Sequence, residues 1–152
     1  MVSYVLKLKI EFNYSYAKGY PHVQYDLFLY NPDPQKLLYP SIREGEIEIV
    51  KEAIKRGAVV SGGDDYAIKY ATKYGQLEIV KYLAELDIGG LKATNIHAGM
   101  ERSLRLASGY GYLDIVKYLV ENGADISANN NEALRWANEN NRLKIVEYLS
   151  GL

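Results

Sequence analysis

The sequence predicts a mostly α-helical solenoid of about four helix pairs, opened by a β-hairpin. Three observations carry this. The text Leu77-Glu78-Ile79-Val80-Lys81-Tyr82-Leu83 returns as Leu113-Asp114-Ile115-Val116-Lys117-Tyr118-Leu119 and as Leu143-Lys144-Ile145-Val146-Glu147-Tyr148-Leu149, with a fainter copy at Ile47-Glu48-Ile49-Val50-Lys51-Glu52-Ala53. Their valines, at 50, 80, 116 and 146, are 30, 36 and 30 residues apart, a period at which each unit buries its apolar face only against its neighbours. Second, Gly75, Gly111 and Asn141 stand just before the three clear copies, where a left-handed residue ends a preceding helix. Third, residues 3–16 alternate with period two.

The alternation places Tyr4, Leu6, Leu8, Ile10, Phe12, Tyr14 and Tyr16 on one side of a strand and Lys7, Lys9 and Glu11 on the other. Ala17 to His22 supplies a turn through Gly19 and Pro21, and Val23, Tyr25, Leu27 and Leu29 alternate again. Residues 1–33 are therefore expected to form a hairpin that docks on or caps the first helix pair, since an isolated hairpin is marginal in water. The array is expected over 34–152. Asp33-Pro34 reads as a helix N-cap followed by proline at the first helical position. Pro40 predicts that this first helix is short, kinked or delayed.

Each later unit reads as two helices. Ala67, Ile68 and Ala71 precede Gly75, Leu104 and Ala107 precede Gly111, and Ala133, Leu134 and Ala137 precede Asn141. These small residues permit close packing. Asp64-Asp65 and Asn130-Asn131 stand where N-caps belong, and Arg56-Gly57-Ala58 and Asn122-Gly123-Ala124-Asp125 close second helices. An insertion around Gly89-Gly90 to Met100 lengthens one inter-unit finger by six residues, and His97 in it reads as an exposed loop residue. Ser150 replaces the Ile54, Ala84 and Val120 of earlier units, which reads as a terminal cap and a chain end at Leu152.

Composition narrows the function. The net charge is −1, so no global field favours nucleic acid or an anionic membrane. There is no cysteine, which excludes disulfides and thiolate metal sites and fits a reducing, cytoplasmic setting. Two histidines are too few for a zinc or general-base constellation, and no nucleophile–base spacing or phosphate loop occurs. No cofactor is expected. No apolar leader and no run of 18 apolar residues occurs, so no signal peptide and no membrane span is expected. Fifteen tyrosines stand against two phenylalanines, which suits half-buried positions and contact surfaces alike.

The turn, helix, tight turn, second helix and closing Gly123-Ala124-Asp125-Ile126 resemble the ankyrin repeat, with Gly57-Ala58 a partial match, over roughly residues 37–152. The family's Thr-Pro-Leu-His signature is replaced by Tyr66-Ala67-Ile68-Lys69, Arg102-Ser103-Leu104-Arg105 and Glu132-Ala133-Leu134-Arg135. The 30-residue units and their text further resemble ankyrin proteins of giant amoebal DNA viruses.

That resemblance implies a non-enzymatic module that binds another protein through the concave face of the array, for a virus a host protein in the host cytoplasm. Carried over by matched position, the partner-binding set is Arg43, Glu44, Lys69, Tyr70, Lys73, Tyr74, Arg105, Tyr110, Arg135, Trp136 and Glu139. Lys69, Arg105 and Arg135 fall on one line of the array, flanked by Tyr74 and Tyr110. They either form a contact surface suited to an acidic or mixed protein partner or cap finger carbonyls in place of the absent histidine. Trp136 either joins that surface or fills core. Tyr82, Tyr118 and Tyr148 form a second line that packing explains. A monomer is expected. Self-association through the hairpin edge is the alternative, opposed by Lys7 and Lys9.

Overall fold

The computed structural model describes residues 33–60, 66–88, 91–92 and 96–152. The expected hairpin of residues 1–33 lies outside them but for Asp33, as do Asp64-Asp65. The chain divides into two compact units, Met1–Val59 and Val60–Leu152.

In the first unit, α1 (Pro34–Glu44) and α2 (Ile47–Lys55) pack together through Leu37, Leu38, Ile42, Ile49, Val50 and Ala53. The Asp33 carboxylate accepts from the Gln35 N–H at 2.9 Å and Pro34 takes the first helical position, as the sequence predicts. Pro40 does not shorten the helix. It sits on the exposed side of α1, so the helix runs through it and only the carbonyl of Lys36, also exposed, loses its helical partner. Gln35 also ties α1 to the segment after α2: Val59 N–H donates to its Oε1 at 2.8 Å.

The second unit holds three helix pairs: α3 (Tyr66–Lys73) with α4 (Leu77–Glu85), α5 (Ile96–Tyr110) with α6 (Leu113–Glu121), and α7 (Ala128–Glu139) with α8 (Leu143–Ser150). First helices pack on first helices, α3 on α5 and α5 on α7. Second helices pack likewise, α4 on α6 and α6 on α8. The core is what this stacking encloses: Ala67, Ala71, Leu104, Ala107, Ala133 and Ala137 from the first helices, and Ile79, Val80, Ile115, Val116, Leu119 and Ile145 from the second. Val80 and Val116 are fully buried, whereas Val146 in α8 is half-buried.

The turns inside the pairs share a hydrogen-bond scheme, except that Gly111 N–H donates to Ala107 O, one residue further back. Gly75 N–H donates to Thr72 O and Gln76 N–H to Ala71 O, both at 3.0 Å; Asn141 and Arg142 donate to Asn138 O and Ala137 O at 3.0 and 2.8 Å. This closes the last turn of the first helix and requires a left-handed residue, which Gly75 (φ +71°) and Asn141 (φ +56°) supply. The Gly-Ala close of α6 works the same way, with Gly123 left-handed and Ala124 tucked 7% exposed against the helix end. Glycine is there for its backbone and alanine for its methyl group.

Two fingers differ from expectation. The six-residue insertion is not all loop. Asp87–Ile88 (β1) pairs antiparallel with Leu91–Lys92 (β2), and residues 96–100 belong to α5, which begins at Ile96 and therefore takes the His97 backbone into its first turn. Met100 is 3% exposed, which explains why the added turn stays helical. Before the right-handed part of α7, Asn129, Asn130 and Asn131 form a left-handed turn (φ +52°, +59° and +56°) rather than a side-chain cap. Asparagine tolerates this conformation better than other side-chain-bearing residues do.

Candidate functional site

α3 is short, and tyrosines stand at its start, its middle and one residue past its end. Tyr66, Tyr70 and Tyr74 recur every fourth residue, so their rings share one side of the helix. Their centroids lie 5.8 and 4.8 Å apart in turn. Tyr66 remains 51% exposed. Lys73 is exposed and its Nζ stands 5.7 Å from the centre of the Tyr74 ring, close enough for cation–π attraction. Lys69 is half-buried on the same helix.

A side-chain hydrogen bond from Tyr112 ties this helix end to the next pair. Its hydroxyl donates to the Lys73 carbonyl at 3.4 Å, and its ring fills the space against Gly75, where an added Cβ would lie 2.7 Å from it. Tyr112 in turn lies 6.1 Å, centroid to centroid, from Tyr110, which is 44% exposed. Arg142 repeats the device one pair later: its Nε donates to the Gly109 carbonyl at 3.0 Å and its stem covers Gly111. Lys73 and Gly109 occupy the same place relative to the left-handed turn residue, so one repeat position reaches back to one carbonyl in both cases.

Arg105 is committed elsewhere. A single nitrogen, Nη1, straddles the Glu132 carboxylate at 3.1 Å from each oxygen, and the guanidinium lies 4.8 Å from the Trp136 ring. Glu132 also accepts from Asn129 Nδ2 at 3.4 Å, which ties the left-handed turn to the same pair. Trp136 is half-buried and presses on Gly109. Arg105, Glu132 and Trp136 thus join α5 to α7, and Arg135 on α7 stays exposed.

Of the remaining residues singled out in the sequence, Glu139 is exposed at the end of α7. Arg43 and Glu44 belong to the first unit, where Arg43 Nε meets Glu44 Oε1 at 2.8 Å. The second tyrosine line, Tyr82, Tyr118 and Tyr148, is half-buried throughout. Burial and then the Glu85 carboxylate push the Tyr118 phenol above its ordinary pKa, and Lys117 Nζ stands 5.8 Å from the Tyr148 ring.

Sequence reasoning passed over Tyr66, Tyr112, Glu132 and Arg142. Tyr66 was legible as the first of three residues at helical spacing. Tyr112 and Arg142 share a register that points nowhere until the pairs are stacked. Among the described residues no helix is long and apolar enough to cross a membrane and no cluster of His, Cys, Asp and Glu could hold a metal ion.

A family model described as ankyrin repeats (3 copies) matches residues 91–151, the stretch holding β2 and α5 to α8. No curated protein matches the chain.

Proposed function

We propose that the chain is a non-enzymatic protein-binding module that holds its partner on the face formed by first helices α3, α5 and α7. The observation that carries this reading is the aromatic run of exposed Tyr66 and half-buried Tyr70 and Tyr74 along α3 and its end, together with exposed Tyr110 on α5. Rigid rings with a polar tip bring large contact area at low entropic cost, and Tyr, Trp and Arg dominate interface energy. Ankyrin repeats generally mediate protein–protein interaction, which supports the same reading for the matched stretch. The Tyr74→Ala/Tyr110→Ala variant tests it. It should keep the helical circular dichroism of the parent and lose at least about tenfold in affinity for a captured partner, since two hot-spot residues each contribute about 1 kcal/mol or more. Unchanged affinity would place the contact elsewhere.

The short units and their text support a viral source and a host protein as partner, in the host cytoplasm. Capture from an amoebal lysate but not from an unrelated one would agree with that. The alternating residues 3–16 favour a second reading, self-association through a strand edge. Light scattering on the full chain decides between them, and a monomer removes the second.

A further inference from the structure

We infer that α3 is the centre of the docking face and that its occupant is an acidic, extended peptide segment of the partner; this rests on the protein-binding reading above. From Tyr66 to Gln76 the chain carries Lys69 and Lys73 among three tyrosines and no Asp or Glu, and the acidic pair Asp64-Asp65 precedes the end of the segment opposite Lys73. Lys73 is exposed and held over the Tyr74 ring, an arrangement that positions the ammonium without using its hydrogen-bond donors. The charge pattern sharpens toward α3. At the α5–α7 junction Glu132 neutralises Arg105, but the repeat position of Glu132 is held by Arg102 one unit earlier and by Tyr66 before that.

The second helices have the opposite sign. α4, α6 and α8 together carry Lys81, Lys117 and Lys144 against Glu78, Glu85, Asp114, Glu121 and Glu147. An acidic segment is repelled there and drawn to α3, so charge complementarity selects both the face and the occupant. Geometry selects the extended form. The Tyr66–Tyr74 run spans about 12 Å of helix at about 1.5 Å per residue. That matches about four residues of extended chain, with one carboxylate toward Lys73.

The test is fluorescence anisotropy of the full chain with labelled ten-residue peptides, deca-glutamate and a neutral Gly-Ser control, and with a ten-nucleotide thymidine strand. Deca-glutamate should bind at least about tenfold tighter than the control and weaken as sodium chloride rises. Lys73→Glu should abolish that preference with the thermal melt unchanged, Lys73→Gln should weaken it, and Lys144→Glu on α8 should leave it intact. Equal binding of the neutral peptide, equal loss with Lys144→Glu, or thymidine binding as tight as deca-glutamate would overturn the proposal. A captured partner released by Tyr74→Ala/Tyr110→Ala but indifferent to Lys73→Glu would overturn the acidic occupant alone and leave the binding module standing.

Discussion

Trp136 lies so close over Gly109 that a Cβ added to the glycine would stand 2.8 Å from its Cε3. The two residues sit on neighbouring first helices, so the glycine is there to let the indole in, and the indole then carries the Arg105 guanidinium. Gly109→Ala should destabilise the protein by about 1–3 kcal/mol, the usual cost of overpacking a well-filled contact, although alanine is the better helix former. Urea unfolding measures it. A Gly109→Ala protein as stable as the parent would mean that α5 and α7 part easily.

Ser103 is fully buried and, among the described residues, its hydroxyl meets no hydrogen-bond partner. The same repeat position holds Ala67 and Ala133. Ser103→Ala should therefore raise stability by about 1 kcal/mol, by removing a desolvated polar group at no loss of volume that matters. A lower unfolding midpoint would show that the hydroxyl is satisfied in solution.

The Arg105–Glu132 pair is only partly screened, with side chains 30% and 20% exposed. Glu132→Gln should cost about 1–2 kcal/mol, between the values for surface and buried charged hydrogen bonds. Because Glu132 also holds Asn129, amide exchange should quicken across residues 127–132 in this variant. Unchanged exchange there would separate the left-handed turn from the pair.

Asp125 accepts from the hydroxyl and the N–H of Ser127, at 2.7 and 2.8 Å, and these bonds hold its carboxyl below the ordinary carboxylate range. A depressed folded value favours the ionised group in the folded state. Its contribution is present above the unfolded value, near about 3.9, and is lost as pH falls through the folded value. The stability gap between the parent and Asp125→Asn should thus narrow as the pH falls below about 4, read by urea unfolding at each pH. A gap that widens toward acid would reverse the sign.

What the sequence disclosed follows from what is local. The Val-to-Val period, the left-handed Gly75 and Asn141, the Gly123-Ala124 close and the Asp33-Pro34 start each depend on a few neighbouring residues, and each has its counterpart in the fold. Pro40 neither shortens nor delays α1, because its effect depends on which side of the helix meets solvent. The insertion misled because Met100 found a buried place that extended α5. In the candidate site, three cations on one line looked equivalent, yet Glu132 crosses to Arg105 instead of pairing along its own helix with Arg135. Tyr112 and Arg142 gain their meaning only from the carbonyls of the preceding pair. Relations between units are invisible to a pattern that describes one unit at a time.

The most direct test of the account is amide hydrogen exchange on the full chain with and without a bound partner. First-helix binding predicts protection within residues 66–76 and 102–112, with 77–85 and 113–121 unchanged. Protection confined to the second helices would contradict it.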